Sequence, residues 1–394
     1  MASTKRKTLE YGAFEYLQHW KPNRKIVPPE FLMGPQTPLF PLFCYLHDKV
    51  KDLYRHLPSR KNGENSFIHP LNVVLSLQKA KVDDDVTLCV GIMHDYAEEM
   101  VDMYKREYKI TEDAKGVIIL EEYEQQVFSD LANELSAFCH SHKIYPEVVS
   151  RIILPLKLLT HHKRHFYFKY ISAIFTSSNP EAQEIAIQVK LADRMHNILS
   201  VESFNEEERI YQCYKNLFIL NNTKKYLLEK FGKGVLTHKR FSPTARLFNK
   251  CARATYDAFL TICYLTCKKG ILDVRSMLQL AFKKFELEMS GLWVVTAVDP
   301  KQTHPFRLYQ GVVRKYDARL HHEWEKFYSL KRAEMTYCRH FFSDYGFDKE
   351  QLQAILDYKD AFSLKEVVAY LLYKTDYVVS GFLCSELSQK GRIK

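Results

Sequence analysis

The chain has 394 residues, of which 46% are hydrophobic and 26% are charged, and its formal net charge is +10. This profile indicates a soluble globular protein that is long enough for two or three domains and a sizeable core. No run of eighteen apolar residues predicts a membrane-spanning helix, and the basic N-terminus MASTKRKTLEYG lacks the apolar stretch of a secretory signal.

The first part of the chain predicts a loop followed by helices. Residues 21–40 contain five prolines, which remove amide donors and stop helices, so we expect residues 1–39 to be a lead-in segment. Helical spacing begins in PLNVVLSLQKA, at Leu71, Val74, Leu75 and Gln78. The segment DDDVTLCVGIMHDYAEE predicts a helix because acidic residues suit the positive end of a helix dipole. Its apolar stripe is Val86, Cys89, Val90 and Met93.

The remainder of the chain is also mostly helical in its spacing. Further helices are predicted at 121–142, 146–160, 164–176, 181–203, 245–268, 272–290, 308–343 and 349–386. The best strand signal is LWVVTAV at 292–298, which is equally compatible with a buried turn of helix. Residues 232–244 carry Gly, Ser and Pro and predict a domain junction. We therefore predict a mainly α protein with one helical domain at 40–231 and a second at 245–394.

Charge and aromatic residues are unevenly distributed along the chain. Residues 211–394 carry a net charge of +13, whereas residues 1–210 carry −3. A solvated basic surface is the favoured interpretation, and an acidic partner such as nucleic acid is the alternative. The aromatic residues of this basic part are predicted to be core rather than base-stacking groups. They are Tyr309, Tyr316, Trp324, Phe327, Tyr328, Tyr337, Phe341, Phe342 and Tyr345.

The nine cysteines are an odd number and are scattered along the chain. Cys89, Cys213 and Cys384 have apolar neighbours in sequence and are predicted to be buried thiols. This usage is typical of a reducing compartment, so we expect a cytoplasmic protein.

Four stretches combine residue types that can carry chemistry. They are SRKNGENSFIHPLNV, GIMHDYAEE, LLTHHKRHFYFKYI and QVKLADRMHNI. Each alone has an ordinary structural explanation: a His-Asp pair occurs by chance, and LADRMHN fits an amphipathic helix end. Together and in this order they favour a functional site. The clustered histidines of the third stretch are predicted to form a basic rim with His140 and His142 rather than to bind a metal.

The His and Asp residues of these stretches fit a metal site shared between helices. Adjacent residues on a helix point about 100° apart, so His94 and Asp95 face one ion only if other helices complete the ligand set. His69 from an earlier helix and Asp193 from a later one would supply the missing ligands. Two imidazoles and two carboxylates suit Mn, Fe, Zn or Mg-class ions and leave positions open for water and substrate.

The order His, His-Asp, Asp resembles the HD superfamily of metal-dependent phosphohydrolases. SRKNGENSFIHPLNV, HDYAEE and VKLADRMHNI are most similar to the hydrolase domain of RelA/SpoT-type enzymes, which remove pyrophosphate from ppGpp and pppGpp. The similarity covers roughly residues 40–205 and implies an HD-domain helical bundle. Glu99 stands where the family usually has Asp, and the extra methylene moves the carboxylate by about 1.5 Å. No sign of the family's synthetase domain is found in 211–394.

The resemblance implies roles for three sets of residues and a single Mn²⁺, or another divalent ion, as cofactor. The metal ligands would be His69, His94, Asp95 and Asp193. The residues that position or activate water would be Glu98 and Glu99. The residues that contact the nucleotide or its phosphates would be Arg60, Lys61 and Asn197.

These observations favour hydrolysis of the 3′-pyrophosphate of a (p)ppGpp-like nucleotide. One alternative is the same chemistry on another nucleotide or phosphoester. Another is a sensor that binds such a nucleotide while the basic half binds nucleic acid or protein. The residues leave open whether the C-terminal part covers the active site, forms a homo-oligomer or binds a regulatory ligand, and no membrane partner is expected.

Overall fold

The structure is a computed structural model, and it describes residues 21–61, 63–111, 113–160, 167–236, 241–289 and 305–386. Over these ranges the chain is mainly α-helical and contains no strand, which confirms the predicted fold class. The strand signal at 292–298 and the three histidines at 161–165 lie outside them.

The helices begin where the sequence leaves the proline-rich lead-in. They are α1 (Phe40–Arg55), α2 (Ile68–Lys79), α3 (Asp85–Met93), α4 (Tyr96–Glu107), α5 (Ala114–Ser141), α6 (Glu147–Leu159), α7 (Tyr167–Phe175), α8 (Pro180–Leu199), α9 (Glu206–Phe231), α10 (Pro243–Cys267), α11 (Leu272–Met289), α12 (Pro305–Leu320), α13 (Trp324–Phe341) and α14 (Lys349–Tyr373). As predicted, acidic residues open α3: the Asp84 carboxylate accepts a hydrogen bond from the Thr87 amide.

The chain divides into two compact units that are interleaved in sequence. The site unit comprises Pro22–Ser200, Ile219–Cys251 and Val378–Lys394, and the second unit comprises Val201–Phe218 and Ala252–Tyr377. The division expected from the sequence was contiguous, with one junction at 232–244. Segments that are adjacent in sequence therefore belong to different units, which the order of the residues alone did not indicate.

The core of the site unit is built around α2, α3 and α8. Helix α2 packs against both α3 and α8, and α3 also packs against α1 and α6. The predicted stripe of α3 is buried, but so are Leu88 and Ile92 on its other faces. A helix that is apolar on every side belongs inside a protein. Helix α3 is thus a central element, and its C-terminal end is held deep in the unit.

Residues 378–386, the last that the structure describes, also belong to the site unit. Two buried asparagines of α9, Asn221 and Asn222, accept hydrogen bonds from the Val379 and Cys384 amides at 2.7 Å. The Asn221 amide group donates to the Phe382 carbonyl at 3.1 Å. These bonds satisfy buried backbone groups and fix the C-terminal segment on α9.

The second unit contains a buried cluster of opposite charges where α12, α13 and α14 pack together. Lys315 pairs with Asp360 and, at 2.9 Å, with Glu334. Lys359 also pairs with Glu334 and lies 3.3 Å from Asp360. Part of the positive charge of the C-terminal half is therefore neutralised inside the fold rather than displayed on a surface.

The prediction that the C-terminal aromatic residues are core holds for only some of them. Tyr316, Phe327 and Phe342 are buried. The prediction is wrong for the exposed residues Trp324, Tyr328, Tyr337, Phe341 and Tyr345. Several of these rings stack on one another along the surface of α13, as Trp324 does on Tyr328. Helical spacing identifies which residues share a face but not whether that face is covered.

Cysteine burial follows the prediction, since all nine cysteines are free thiols and Cys89, Cys213 and Cys384 are buried. Among the described segments, no helix combines the length and apolar character required to cross a bilayer.

Candidate metal centre

Residues from three parts of the site unit meet at the end of α3. His69 lies in the first turn of α2, and Asp193 lies in the C-terminal half of α8. His94 and Asp95 lie between α3 and α4. His69, His94 and Asp193 are all buried, with 5%, 2% and 4% of their surfaces exposed. Burying this many titratable groups is costly unless they are paired or bind a metal.

The helix predicted through GIMHDYAEE is interrupted at the His-Asp pair. Helix α3 ends at Met93 and α4 starts at Tyr96, so the prediction of a single helix here is wrong. On a continuous helix, the two side chains would point about 100° apart. At the break both residues keep right-handed helical backbone angles, and His94 Nε2 lies 3.1 Å from Asp95 Oδ2. Both donors therefore face the same point.

His69 connects all the predicted ligands. Its Nε2 atom lies 3.2 Å from His94 Nε2, 3.3 Å from Asp95 Oδ2 and 3.3 Å from Asp193 Oδ1. The donor atoms of His69, His94 and Asp95 all lie within 4.8 Å of one another. Asp193 lies outside that mutual group and adjoins it through the 3.3 Å contact of its Oδ1 atom with His69.

The separations between these donor atoms fit a divalent ion. An octahedral ion with ligands at about 2.1 Å holds neighbouring donors about 3.0 Å apart. The four separations of 3.1–3.3 Å are close to that value. Nitrogen and carboxylate donors in equal number suit Mn, Fe or Zn. His69, His94 and Asp95 thus fit the cofactor that the sequence resemblance implies, and Asp193 lies next to them.

Both imidazoles are held from behind by a further group. The ring of His94 hydrogen-bonds through Nδ1 to the Gly91 carbonyl at 2.9 Å, which leaves Nε2 for the centre. The ring of His69 is held by His196, with 2.8 Å between the two Nδ1 atoms. Such outer contacts fix the tautomer and direction of metal-binding imidazoles.

The carboxylate of Asp193 is held on both oxygens. Lys190 contacts Oδ2 at 2.8 Å, and the Asn197 amide group donates to Oδ1 at 2.6 Å. Asn197 in turn accepts a hydrogen bond from Arg60 at 3.2 Å. A continuous path of polar contacts therefore leads from the predicted phosphate-binding Arg60 to a predicted metal ligand.

The charges of the cluster stabilise its ionised forms. Burial alone would raise the pKa of Asp95, but the adjacent His94 and His69 hold that pKa far below its usual value. Burial likewise opposes ionisation of Asp193, and Lys190 together with His69 outweighs it and keeps the pKa well below 3.8. Both acids are therefore carboxylates at neutral pH, the form that binds cations.

The two predicted water-activating residues lie on the first turn of α4. Glu98 and Glu99 are half-buried, and the Glu99 amide donates to the Asp95 carbonyl at 2.9 Å. Burial lowers the pKa of Lys190, but the charge of Asp193, with smaller contributions from Tyr170 and Glu98, raises that pKa well above 10.5. Glu98 is thus close enough to Lys190 to interact with it electrostatically.

The predicted phosphate-binding residues Arg60 and Lys61 begin a tight turn after α1. Arg60 is half-buried and Lys61 is exposed. The Arg60 amide and carbonyl bond to Glu64 and Gly63 at 2.9 and 2.8 Å, which fixes the loop. Arg60 therefore reaches the cluster through Asn197, whereas Lys61 stays accessible to solvent.

Sequence reasoning missed two buried residues beside the site. His196 supports His69, and Tyr54 lies among the acidic groups. Burial, followed by the charges of Asp95 and Glu99, raises the pKa of Tyr54 well above 10. A usable signal existed for His196, because it follows Asp193 by three positions and so shares its helix face. No comparable signal marks Tyr54 within the pattern of α1.

Comparison of the chain with protein-family models, curated proteins and solved structures gives no match. The functional interpretation therefore depends on the arrangement of side chains in the site unit and on the motifs that supply them.

Proposed function

We propose that this protein is a divalent-metal-dependent phosphohydrolase of the HD type, with a phosphorylated nucleotide as its substrate. One observation carries the proposal: donor atoms of His69, His94, Asp95 and Asp193, from three separate parts of the chain, lie 3.1–3.3 Å from their neighbours. These four residues would hold Mn²⁺ or a similar ion. A bound ion of this class supplies Lewis-acid stabilisation of negative charge and lowers the pKa of water.

The surrounding residues have matching roles in the hydrolysis of a phosphoester. Arg60 neutralises charge on the phosphate, for which its planar guanidinium is well shaped, and Lys61 contributes a second positive charge. Asn197 aligns Arg60 with Asp193. Glu98 or Glu99 accepts the proton of the attacking water. A bond from the water oxygen to phosphorus forms while the phosphoester bond to the leaving oxygen breaks.

The proposed substrate is a guanosine 3′-polyphosphate of the (p)ppGpp type, from which pyrophosphate is released in the cytoplasm. The motifs around Arg60, His69 and Asp193 support this choice through their similarity to RelA/SpoT-type hydrolase domains. A nucleotide with two adjacent 3′ phosphates presents its negative charge to Arg60 and Lys61 together.

The test is a panel of nucleotides incubated with Mn²⁺, in which released phosphate and pyrophosphate are measured separately. We expect pyrophosphate from ppGpp with the wild type and almost none with Asp95→Ala. Glu107→Ala, an exposed residue at the end of the same helix α4, is the matched control and should retain turnover. The metal content of all three proteins is also measured, so that activity can be compared with the occupancy of the proposed metal site.

Two other outcomes distinguish the alternatives. Release of inorganic phosphate from a different nucleotide would keep the chemistry and replace the substrate. Tight binding of ppGpp without turnover by the Mn²⁺-loaded wild type would instead indicate a sensor. Absence of both metal binding and turnover would contradict the proposal.

A further inference from the structure

His196 is a buried imidazole that contacts a proposed metal ligand on the side away from the centre. Its Nδ1 atom lies 2.8 Å from Nδ1 of His69, and only 1% of its surface is exposed. The two ring centroids are 4.9 Å apart. This distance between nitrogens is a hydrogen bond, and it requires a single proton between them.

The position of that proton depends on what His69 binds on its other side. The Nε2 atom of a neutral imidazole binds a cation only when it carries no hydrogen, so the hydrogen of His69 then lies on Nδ1. Nδ1 of His69 therefore donates, and Nδ1 of His196 accepts. With a cation bound to His69, the hydrogen of His196 is therefore placed on its own Nε2 atom, a buried atom to which the described residues offer no acceptor.

His94 provides a useful contrast within the same cluster. The partner of its Nδ1 atom is the Gly91 carbonyl, 2.9 Å away, and a carbonyl can only accept. Backbone geometry thus selects the metal-binding tautomer of His94 directly. His69 has no such fixed acceptor at Nδ1: its partner is a side chain that can donate or accept. The identity of residue 196 therefore decides whether His69 is set correctly.

The fold places this support with some precision. His196 follows Asp193 by three positions on α8, so one helix face carries both a proposed ligand and the support of another. Helix α8 packs against α2, which carries His69. The packing of these two helices therefore fixes the distance between the two imidazoles.

We infer that His196 is a positioning residue that holds His69 as the Nδ1-protonated tautomer and so directs its Nε2 atom at a divalent cation. This inference rests on the proposed metal centre but adds a residue and a physical role to it. Partners of this kind typically change metal affinity by about 10- to 100-fold when removed.

The test compares two substitutions of similar shape, His196→Asn and His196→Leu. The amide of Asn carries an oxygen in the place of Nδ1 and can accept the hydrogen bond, whereas Leu cannot. Affinity for Mn²⁺ alone is measured from the electron paramagnetic resonance signal of the free ion. We expect the dissociation constant to rise by about 10- to 100-fold in His196→Leu. In His196→Asn most of the lost affinity should return. A purely structural role would not be rescued by Asn.

A second measurement does not depend on either variant folding. Nitrogen-15 spectra of the histidines in wild-type protein loaded with Zn²⁺ should show His69 protonated at Nδ1 and metal-bound at Nε2. A metal-bound His69 that carries its proton elsewhere, or equal Mn²⁺ affinity in both folded variants and the wild type, would overturn the inference while leaving the proposed centre intact. If the wild-type protein bound neither Mn²⁺ nor Zn²⁺, both the inference about His196 and the proposed metal centre would be wrong.

Discussion

Gly91 allows α2 and α3 to approach closely, and Gly91→Ala tests that packing. A Cβ atom at this position would lie 2.7 Å from Leu77 Cδ1 and 3.5 Å from Val74 Cγ2. Leu77 is fully buried, so its methyl group cannot move aside into solvent. Overpacking of this kind costs about 1–3 kcal/mol, and replacing glycine by alanine within a helix returns about 1 kcal/mol. We expect a net loss of about 0–2 kcal/mol in the free energy of unfolding.

The physical cause is isolated by repeating the substitution in a Leu77→Ala background. Without the Leu77 methyl groups, only the helical preference of alanine remains, so Gly91→Ala should now stabilise the protein by about 1 kcal/mol. Urea unfolding followed by circular dichroism gives all four free energies, and their cycle should show a coupling of about 1–3 kcal/mol. Equal effects of Gly91→Ala in the two backgrounds would refute the steric explanation. Weaker Mn²⁺ binding in Gly91→Ala alone would connect the packing of α2 and α3 to the metal centre.

Three further predictions concern metal, charge and pH. Mn²⁺ at 100 times its dissociation constant should stabilise the protein by about 2.7 kcal/mol and raise the thermal midpoint, and excess chelator should reverse this; an unchanged midpoint counts against a metal site. Lys190→Met removes the lysine partner of the buried Asp193 carboxylate and should cost about 3–5 kcal/mol in metal-free protein, with partial recovery on adding Mn²⁺. Burial, followed by the charge of Asp360, raises the pKa of Asp357 from 3.8 to about 6. A raised carboxyl pKa favours the folded state at low pH and loses that advantage as pH rises from about 4 to about 6. Above pH 6, Asp357→Asn should therefore have a free energy of unfolding up to about 3 kcal/mol higher than that of the wild type. Urea titrations at several pH values measure this difference. The exposed control Asp344→Asn should show no such trend.

Much of the local structure follows from the sequence because helices depend on near neighbours. The apolar stripe of α3 and its acidic start are visible as a pattern of three- and four-residue spacing, and both are confirmed by the structure. The residues of the proposed centre were also selected from the sequence. His and Asp residues in three separated motifs, in this order, indicate a shared site more than any one motif does. Whether they bind a metal stays a prediction.

Other features required the folded chain. The interruption of the helix at His94 and Asp95 has no proline or glycine at either position to mark it, and only the folded chain revealed it. The same limit explains the exposed rings of α13, where spacing defines a face but not what lies against it.

The sequence by itself determined the helical class of the described chain and which residues were candidates for a shared site, because both depend on residue type and short-range spacing. The tertiary structure decided which candidates meet, how their rings are turned and that His196 stands behind His69. Those features depend on the packing of α2 against α8, between residues separated by more than a hundred positions, which no local pattern records.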